Sequence, residues 1–443
     1  MIRTRFFAAC VLLLWAIAIT ARADIITVIN SNDSGPGSLR QALVEANHGD
    51  TIDFDPALNG QTIMLTTAEL VIDKSITISG PGANLLAVSR AQDAPAFSIF
   101  HVGAGLTVVI QGLTISNGSA LQFGCGGGIL IDGSTLTVTN CTVSNNSTDG
   151  TGGGICVENN ATLTVENSTL SGNYAGDYGG GMANDGTITI NNSTLSDNRG
   201  EFAAGAILNG FSTGASLTVS NSTLSGNTTQ LHGGGIFNGG QAVITNSTLS
   251  GNSGMTAGAI VNRLGTLEMT NTVLNRGDVG PNISNDIGTV TSRGYNLCDD
   301  NCAGVLKGPG DQVNAEPLLG PLQDNGGPTF THALLLGSPA IDSGNPNFTP
   351  PPFFDQRGPG FVRVVNGRID KGSFEVQGSG PTPTSTPTPT ATATATATPP
   401  PSPTPTATPI ATPTSTPRPT PSPRPSSQPR PRPTPAPRPA APR

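Results

Sequence analysis

The chain has 443 residues, a formal net charge of −8, 57 Gly, 38 Pro and only 4% aromatic residues. Six arginines lie in its final segment, so the body before them is more acidic than −8, which excludes the basic stripe that a nucleic-acid-binding face requires. Past the first two dozen residues, no stretch is long and apolar enough to cross a bilayer as a helix.

Residues 1–23 carry Arg3 and Arg5, an apolar run over 6–19, and Ala21-Arg22-Ala23 before Asp24. This pattern predicts a secretory signal peptide cleaved after Ala23. Cys10 lies inside the apolar run, too early for a lipoprotein site. The mature protein is therefore expected outside the cell or at its surface, with outer-membrane association as one route. Export also permits disulfides.

Residues 24–60 form an N-terminal cap. Gly35-Pro36-Gly37-Ser38-Leu39-Arg40-Gln41-Ala42-Leu43, then Glu45-Ala46-Asn47, predicts a short helix before the first coil. There it covers the open end and blocks edge pairing.

Residues 61–290 are repetitive. Asn-Ser-Thr-Leu-Ser-Gly-Asn stands at 167–173, 221–227 and 246–252, and near-copies begin at Asn140, Asn192 and Asn271. A period of this length means stacked supersecondary units. Each copy has a Gly-rich element such as Gly152-Gly153-Gly154-Ile155, an alternating element such as Leu163-Thr164-Val165, and the phrase itself. Alternation with β-branched residues predicts strands. No element is long enough for the helix of a helical repeat. The expected fold is all-β: a right-handed parallel β-helix with three strands per coil, each coil about 4.8 Å above the last.

Stacking turns the repeats into columns. One holds Asn140, Asn167, Asn192, Asn221, Asn246 and Asn271. A second holds Asn146, Asn173, Asn198, Asn227 and Asn252. A third holds Asn184, Asn209, Asn238 and Asn262. Asn tolerates bent corners and its amide both donates and accepts, so these columns are expected to bond coil to coil.

A further column reads Asp132, Glu158, Asp185, then Gly210, Gly239 and Arg263. Neighbouring carboxylates raise one another's pKa or recruit a cation. Asp132, Glu158 and Asp185 are therefore the candidate catalytic carboxylates and the candidate Ca2+ ligands, with Asp149 and Asp177 in the preceding turns as additional ligands. Calcium is the one cofactor this pattern suggests, although a solvated corner column of an acidic protein is the expected reading.

Five cysteines follow the signal. Cys298 and Cys302 suit a small loop closure, whereas the pairing of Cys125, Cys141 and Cys156 is open; an odd count leaves one thiol unpaired or intermolecular. The spacing fits no common zinc pattern, and His48, His101, His232 and His332 are scattered. No nucleophile elbow or phosphate-cradling loop is present.

Residues 291–377 end the β-helix, and 378–443 are rich in Pro, Thr and Arg. Such a tail cannot bury apolar surface and is expected to be disordered and polyproline-like, a spacer whose Ser and Thr suit O-linked sugars.

The Gly-Gly-Gly-Ile and Leu-Ser-Gly-Asn elements resemble the repeats of polymorphic outer-membrane protein adhesins, with Leu where that family has Phe. Residues 337–344, Asp355-Gln356-Arg357-Gly358-Pro359 and 370–375 resemble the C-terminal signature of secreted bacterial "choice-of-anchor Q" proteins. The resemblance implies a β-helix on a cell surface. Asp355 and Arg357 are expected to form a capping ion pair near the end of the fold.

The expected function is a non-enzymatic, adhesin-like surface protein. Its Ser/Thr/Asn-rich face would meet a glycan, a cell wall or another cell, and the protein is expected to be a monomer. The alternatives are a polysaccharide lyase or glycoside hydrolase using the Asp132–Glu158–Asp185 face, and a structural coat component. Few aromatics argue against extended sugar-stacking platforms.

Overall fold

In the computed structural model, residues 23–378 are described, except 122–123, 159 and 212–213. The expected signal peptide and proline-rich tail lie outside these residues but for Ala23 and Gly378.

The described chain winds as a right-handed parallel β-helix of about ten coils. Each coil visits three long sheets in turn. Sheet I has nine strands and contains Ile129–Ile131; sheet II has eleven and contains Thr135–Thr139; sheet III has ten and contains Thr142–Ser144. A fourth sheet of five two-residue strands follows sheet III in the middle coils, an element beyond the three expected.

Register is strict. Leu136, Leu163, Ile188, Leu217, Ala242 and Leu267 stack in sheet II, each buried in one continuous core. The Thr residues between them face outward, as period-2 alternation requires. Each buried Leu or Ile side chain contributes roughly 1.5–3 kcal/mol, and Ala242 less.

The Asn columns divide into two kinds. Asn140, Asn167, Asn192, Asn221, Asn246 and Asn271 turn the corner between sheets II and III with φ of 48–52°, a left-handed conformation Asn adopts more readily than other non-Gly residues. Asn146, Asn173, Asn198, Asn227 and Asn252 point inward and are buried. There, Asn173 Nδ2 donates to Asn198 Oδ1 at 2.9 Å and to Val143 O at 3.0 Å, and its backbone N–H also donates to Asn198 Oδ1. The pattern repeats at the next coil. Asn184, Asn209, Asn238 and Asn262 form a second amide ladder, each Nδ2 donating to the next Oδ1 at 2.7 Å. Just after the corner Asn residues, the backbone N–H groups of Cys141, Ser168, Ser193 and Ser222 donate to the hydroxyl of the next coil.

Helix α1 (Leu39–Glu45) is capped by Ser38, whose hydroxyl accepts from Gln41 N at 3.2 Å. Leu39, Ala42 and Leu43 enter the main core and close its first end. The helix does not precede every coil strand: Ile25–Val28 comes first and pairs with Thr51–Phe54 across it. The ladder thus begins at Ile25 and runs to Cys298. At the other end a loop tied by a Cys298–Cys302 disulfide brings Cys302 and Leu306 against the core.

Residues 319–377 run back along the side of the β-helix. A hairpin, Leu319–Gln323 with Thr331–Leu334, and the segment around 355–375 cover the outer face of sheet III. Gln356 Nε2 donates to Thr194 Oγ1 at 2.9 Å and Thr329 Oγ1 at 3.0 Å, and Gln356 Oε1 accepts from Thr223 Oγ1. Thr223 and Thr248 also contact Ser373. Cover of this kind buries Thr194 and Thr223, whereas Thr169, one coil earlier, stays half-buried.

Asp355 and Arg357 do form an ion pair, 2.6 Å and buried. It locks the lateral segment and does not cap an open end. The Arg357 guanidinium also lies 3.9 Å from the Phe361 ring centroid and 3.7 Å from that of Phe374. Asp355 and Arg357 are almost wholly buried and hold the segment in place. Among the described residues no helix is long and apolar enough to cross a membrane.

Candidate functional site

Sheet I differs from the other faces. The central residues of its strands stack as His101, Leu130, Cys156, Ala183, Leu208, Phe237 and Val261. From Leu130 onward they belong to a second apolar cluster, apart from the main core, so they form an outward stripe.

The chain before each of these strands folds over the stripe. Cys125, Thr151, Tyr178, Ala203 and His232 are joined bridge to bridge in a side column. The reversal needs a left-handed residue. Gly152 has φ +66°, and a Cβ there would meet Ile155 O at 2.6 Å. Gly126, Gly179 and Gly233 share the conformation, which explains the repeated glycines. A Cys125–Cys156 disulfide ties the column to the floor, leaving Cys141 free and buried in the core. Burial pushes the Cys141 thiol up to about 11.

The opposite wall is the set of residues that follow sheet I. Asp132, Glu158 and Asp185 stand there in consecutive coils, their backbone N–H groups donating to Val102 O, Ile131 O and Val157 O. Their stacking is as the spacing predicts, and all three are exposed. They form a row, however, and not a cluster. Two coil steps separate Asp132 from Asp185, about 9.6 Å at 4.8 Å each, too far for one cation to gather all three. Among the described residues, the one group with three ligand atoms within 4.8 Å of one another is Cys298, Asp300 and Cys302, and both sulfurs there are in a disulfide. Asp149 and Asp177 join no such group.

Electrostatics mark the row. Partial burial raises the Asp185 carboxyl. His101 is raised by its 3.3 Å contact with Glu69 against the opposing effect of burial, and Asp132 and Glu158 add to the effect. The carboxylates therefore begin beside His101 at one end of the groove.

At the other end lies a cavity of about 360 Å3 lined by Tyr178, Phe202, Phe211, Phe237, His232 and Arg263, among others. Ring centroids are 4.9 Å apart for Tyr178–Phe211, 5.7 Å for Phe211–Phe237 and 6.2 Å for Tyr178–Phe202, within the range of favourable aromatic packing. Phe202 and Phe211 remain 45% and 52% exposed. His232 Nδ1 is 2.7 Å from Thr256 Oγ1, and Arg263 is paired with Asp286 at 3.6 Å.

Aromatic content alone hides this cavity, because a chain-wide count says nothing about where rings gather. One signal was available: Tyr178 and Phe202 lie about one coil apart, each just before a Gly-rich strand. The whole groove offers ring faces, a row of hydrogen-bond acceptors and negative potential.

Residues 74–195 match the family model for a right-handed β-helix region. No curated protein matches the chain. Among solved structures, pectate lyase Pel9A is 14% identical at a TM-score of 0.47, covering 80% of this chain and 96% of that one. An alginate lyase from Paenibacillus sp. FPU-7 is 15% identical at 0.34, covering 60% and 99%. A variant of the PL6 family alginate lyase AlyGC is 14% identical at 0.28, covering 69% and 55%.

Proposed function

We propose that this chain is a secreted or cell-surface binding protein of adhesin type that captures a glycan in the sheet I groove without turning it over. The observation that carries this reading is the set of rings at one end of the groove, with Phe202 and Phe211 exposed on an otherwise aromatic-poor molecule. A sugar presents an apolar C–H face with a polar rim. Ring faces beside carboxylates match both, as binding sites with apolar walls and a few fixed polar groups do. The interior amide ladders hold the coils in register, so little is spent on ordering the site at binding.

Export through residues 1–23 would bring the chain to that location. The choice-of-anchor Q resemblance of residues 337–375 fits surface display, with 378–443 as the spacer. The lyase or hydrolase alternative would draw a carboxylate pair from the Asp132–Glu158–Asp185 face, whose neighbours stand one coil step of about 4.8 Å apart.

The test is a glycan array probed with the wild type and with Phe202→Ala/Phe211→Ala. The wild type should retain at least one glycan class, and the double variant should lose about tenfold in affinity, the loss of two stacking contacts of about 0.5–1.5 kcal/mol each. Absence of any bound glycan, or equal binding by both proteins, would overturn the proposal. Release of unsaturated or reducing sugar ends from the bound glycan would replace it with the enzyme. An inert wild type would favour the coat component.

A further inference from the structure

The groove grades from aromatic to anionic along one line. Beneath it, from Phe237, the stripe passes Leu208, Ala183 and Cys156, all buried, to the half-buried Leu130 and His101. Along the wall, Asp185, Glu158 and Asp132 supply one carboxylate per coil, and Glu69 meets His101 at the head. None of Asp132, Glu158 and Asp185 is ion-paired with Lys or Arg among the described residues. Arg263, at the aromatic end, is already engaged by Asp286. The body is acidic as a whole: between residues 24 and 378 lie all 29 acidic residues and only 12 of the 21 basic ones, a net charge of −17, and the nearby His101 is already shared with Glu69.

We infer that the ligand of this groove is an unbranched glycan whose sugars carry free amines, an amino-sugar polymer; the inference rests on the glycan-binding reading above. Charge complementarity selects it. A polyuronate would set its own carboxylates against an unpaired row, within a Debye length of about 8–10 Å, where repulsion is not screened. A neutral glycan would cover three carboxylates and return no charge to them. An ammonium on successive sugars gives each carboxylate a charge-assisted hydrogen bond. The coil step of about 4.8 Å is close to the length of one sugar in an extended chain, so consecutive sugars meet consecutive carboxylates. At the far end the rings accept a sugar face, and an ammonium over a ring is favourable there too.

The experiment uses the full chain and titrates three short oligomers at low and high salt: one of glucosamine, its fully N-acetylated counterpart, and one of galacturonate. Binding counts as groove binding only where Phe202→Ala/Phe211→Ala weakens it. The glucosamine oligomer should bind about tenfold more tightly than the N-acetylated one at low salt, as three exposed ion pairs of modest strength allow. That preference should collapse at high salt and in Asp132→Asn/Glu158→Gln/Asp185→Asn. Equal affinity for the two oligomers, a preference that survives neutralisation, or tighter binding of galacturonate would overturn the charge assignment and leave the glycan reading standing. Groove binding by none of the three would overturn this inference, and the glycan array above then decides the glycan reading by itself.

Discussion

Replacing Asn198 with Ala should cost far more than an average substitution. Asn198 is fully buried and makes four side-chain hydrogen bonds. Its Nδ2 donates to Leu170 O at 3.0 Å and Asn227 Oδ1 at 2.9 Å; its Oδ1 accepts from Asn173 N at 3.1 Å and Asn173 Nδ2 at 2.9 Å. Alanine removes all four. Asn227 Oδ1 keeps the Asn198 backbone N–H and Asn173 Nδ2 keeps Val143 O, but the Asn173 backbone N–H loses its acceptor. At about 1 kcal/mol per bond the loss is about 4 kcal/mol, against about 1 kcal/mol for a typical point change. Urea unfolding followed by far-ultraviolet circular dichroism measures it, with an unchanged m value showing that the same surface is exposed. A loss under about 1 kcal/mol would refute the claim that the inner amides hold the coils in register.

The corner Asn should behave in the opposite way. Asn167 has φ +49°, so Asn167→Gly should be nearly neutral and Asn167→Val should lose about 1–2 kcal/mol in the same unfolding assay. Gln356→Ala should free the lateral segment from Thr194 and Thr223, seen as faster proteolysis within residues 345–352 with unchanged hydrogen exchange in the inner Asn columns. Burial, then repulsion from Asp370, pushes Glu375 up to about 8 from 4.5. The folded chain therefore holds a proton that the unfolded chain has released, and stability falls as pH rises from about 4.5 to about 8. Glu375→Gln should flatten that part of the melting-temperature profile.

The coils were readable because their cause is local and periodic. Leu163, Ile188 and Leu217 repeat at the spacing that stacks them, and the Asn phrase marks each corner. Which Asn bends the chain and which bonds inside it was less visible, since both roles use one residue type; backbone φ separates them. The Asp132, Glu158 and Asp185 stack was also predictable from spacing, but the span from Asp132 to Asp185, which keeps all three from one cation, depends on the coil rise. The docking of Gln356 on Thr223 joins residues 133 apart with no shared period, so no pattern announces it. Ile25–Val28 was missed for a related reason: it pairs across an intervening helix. Cys125 and Cys156 meet because the side column folds over sheet I, a tertiary event that their different places in the repeat conceal.

A crystal structure of the full chain soaked with a glucosamine oligomer tests the central claim most directly. The account predicts sugar rings stacked on Phe202 and Phe211, with amines directed along the Asp185–Glu158–Asp132 wall. An oligomer bound instead on the threonine face of sheet II, with the sheet I groove empty, would contradict it.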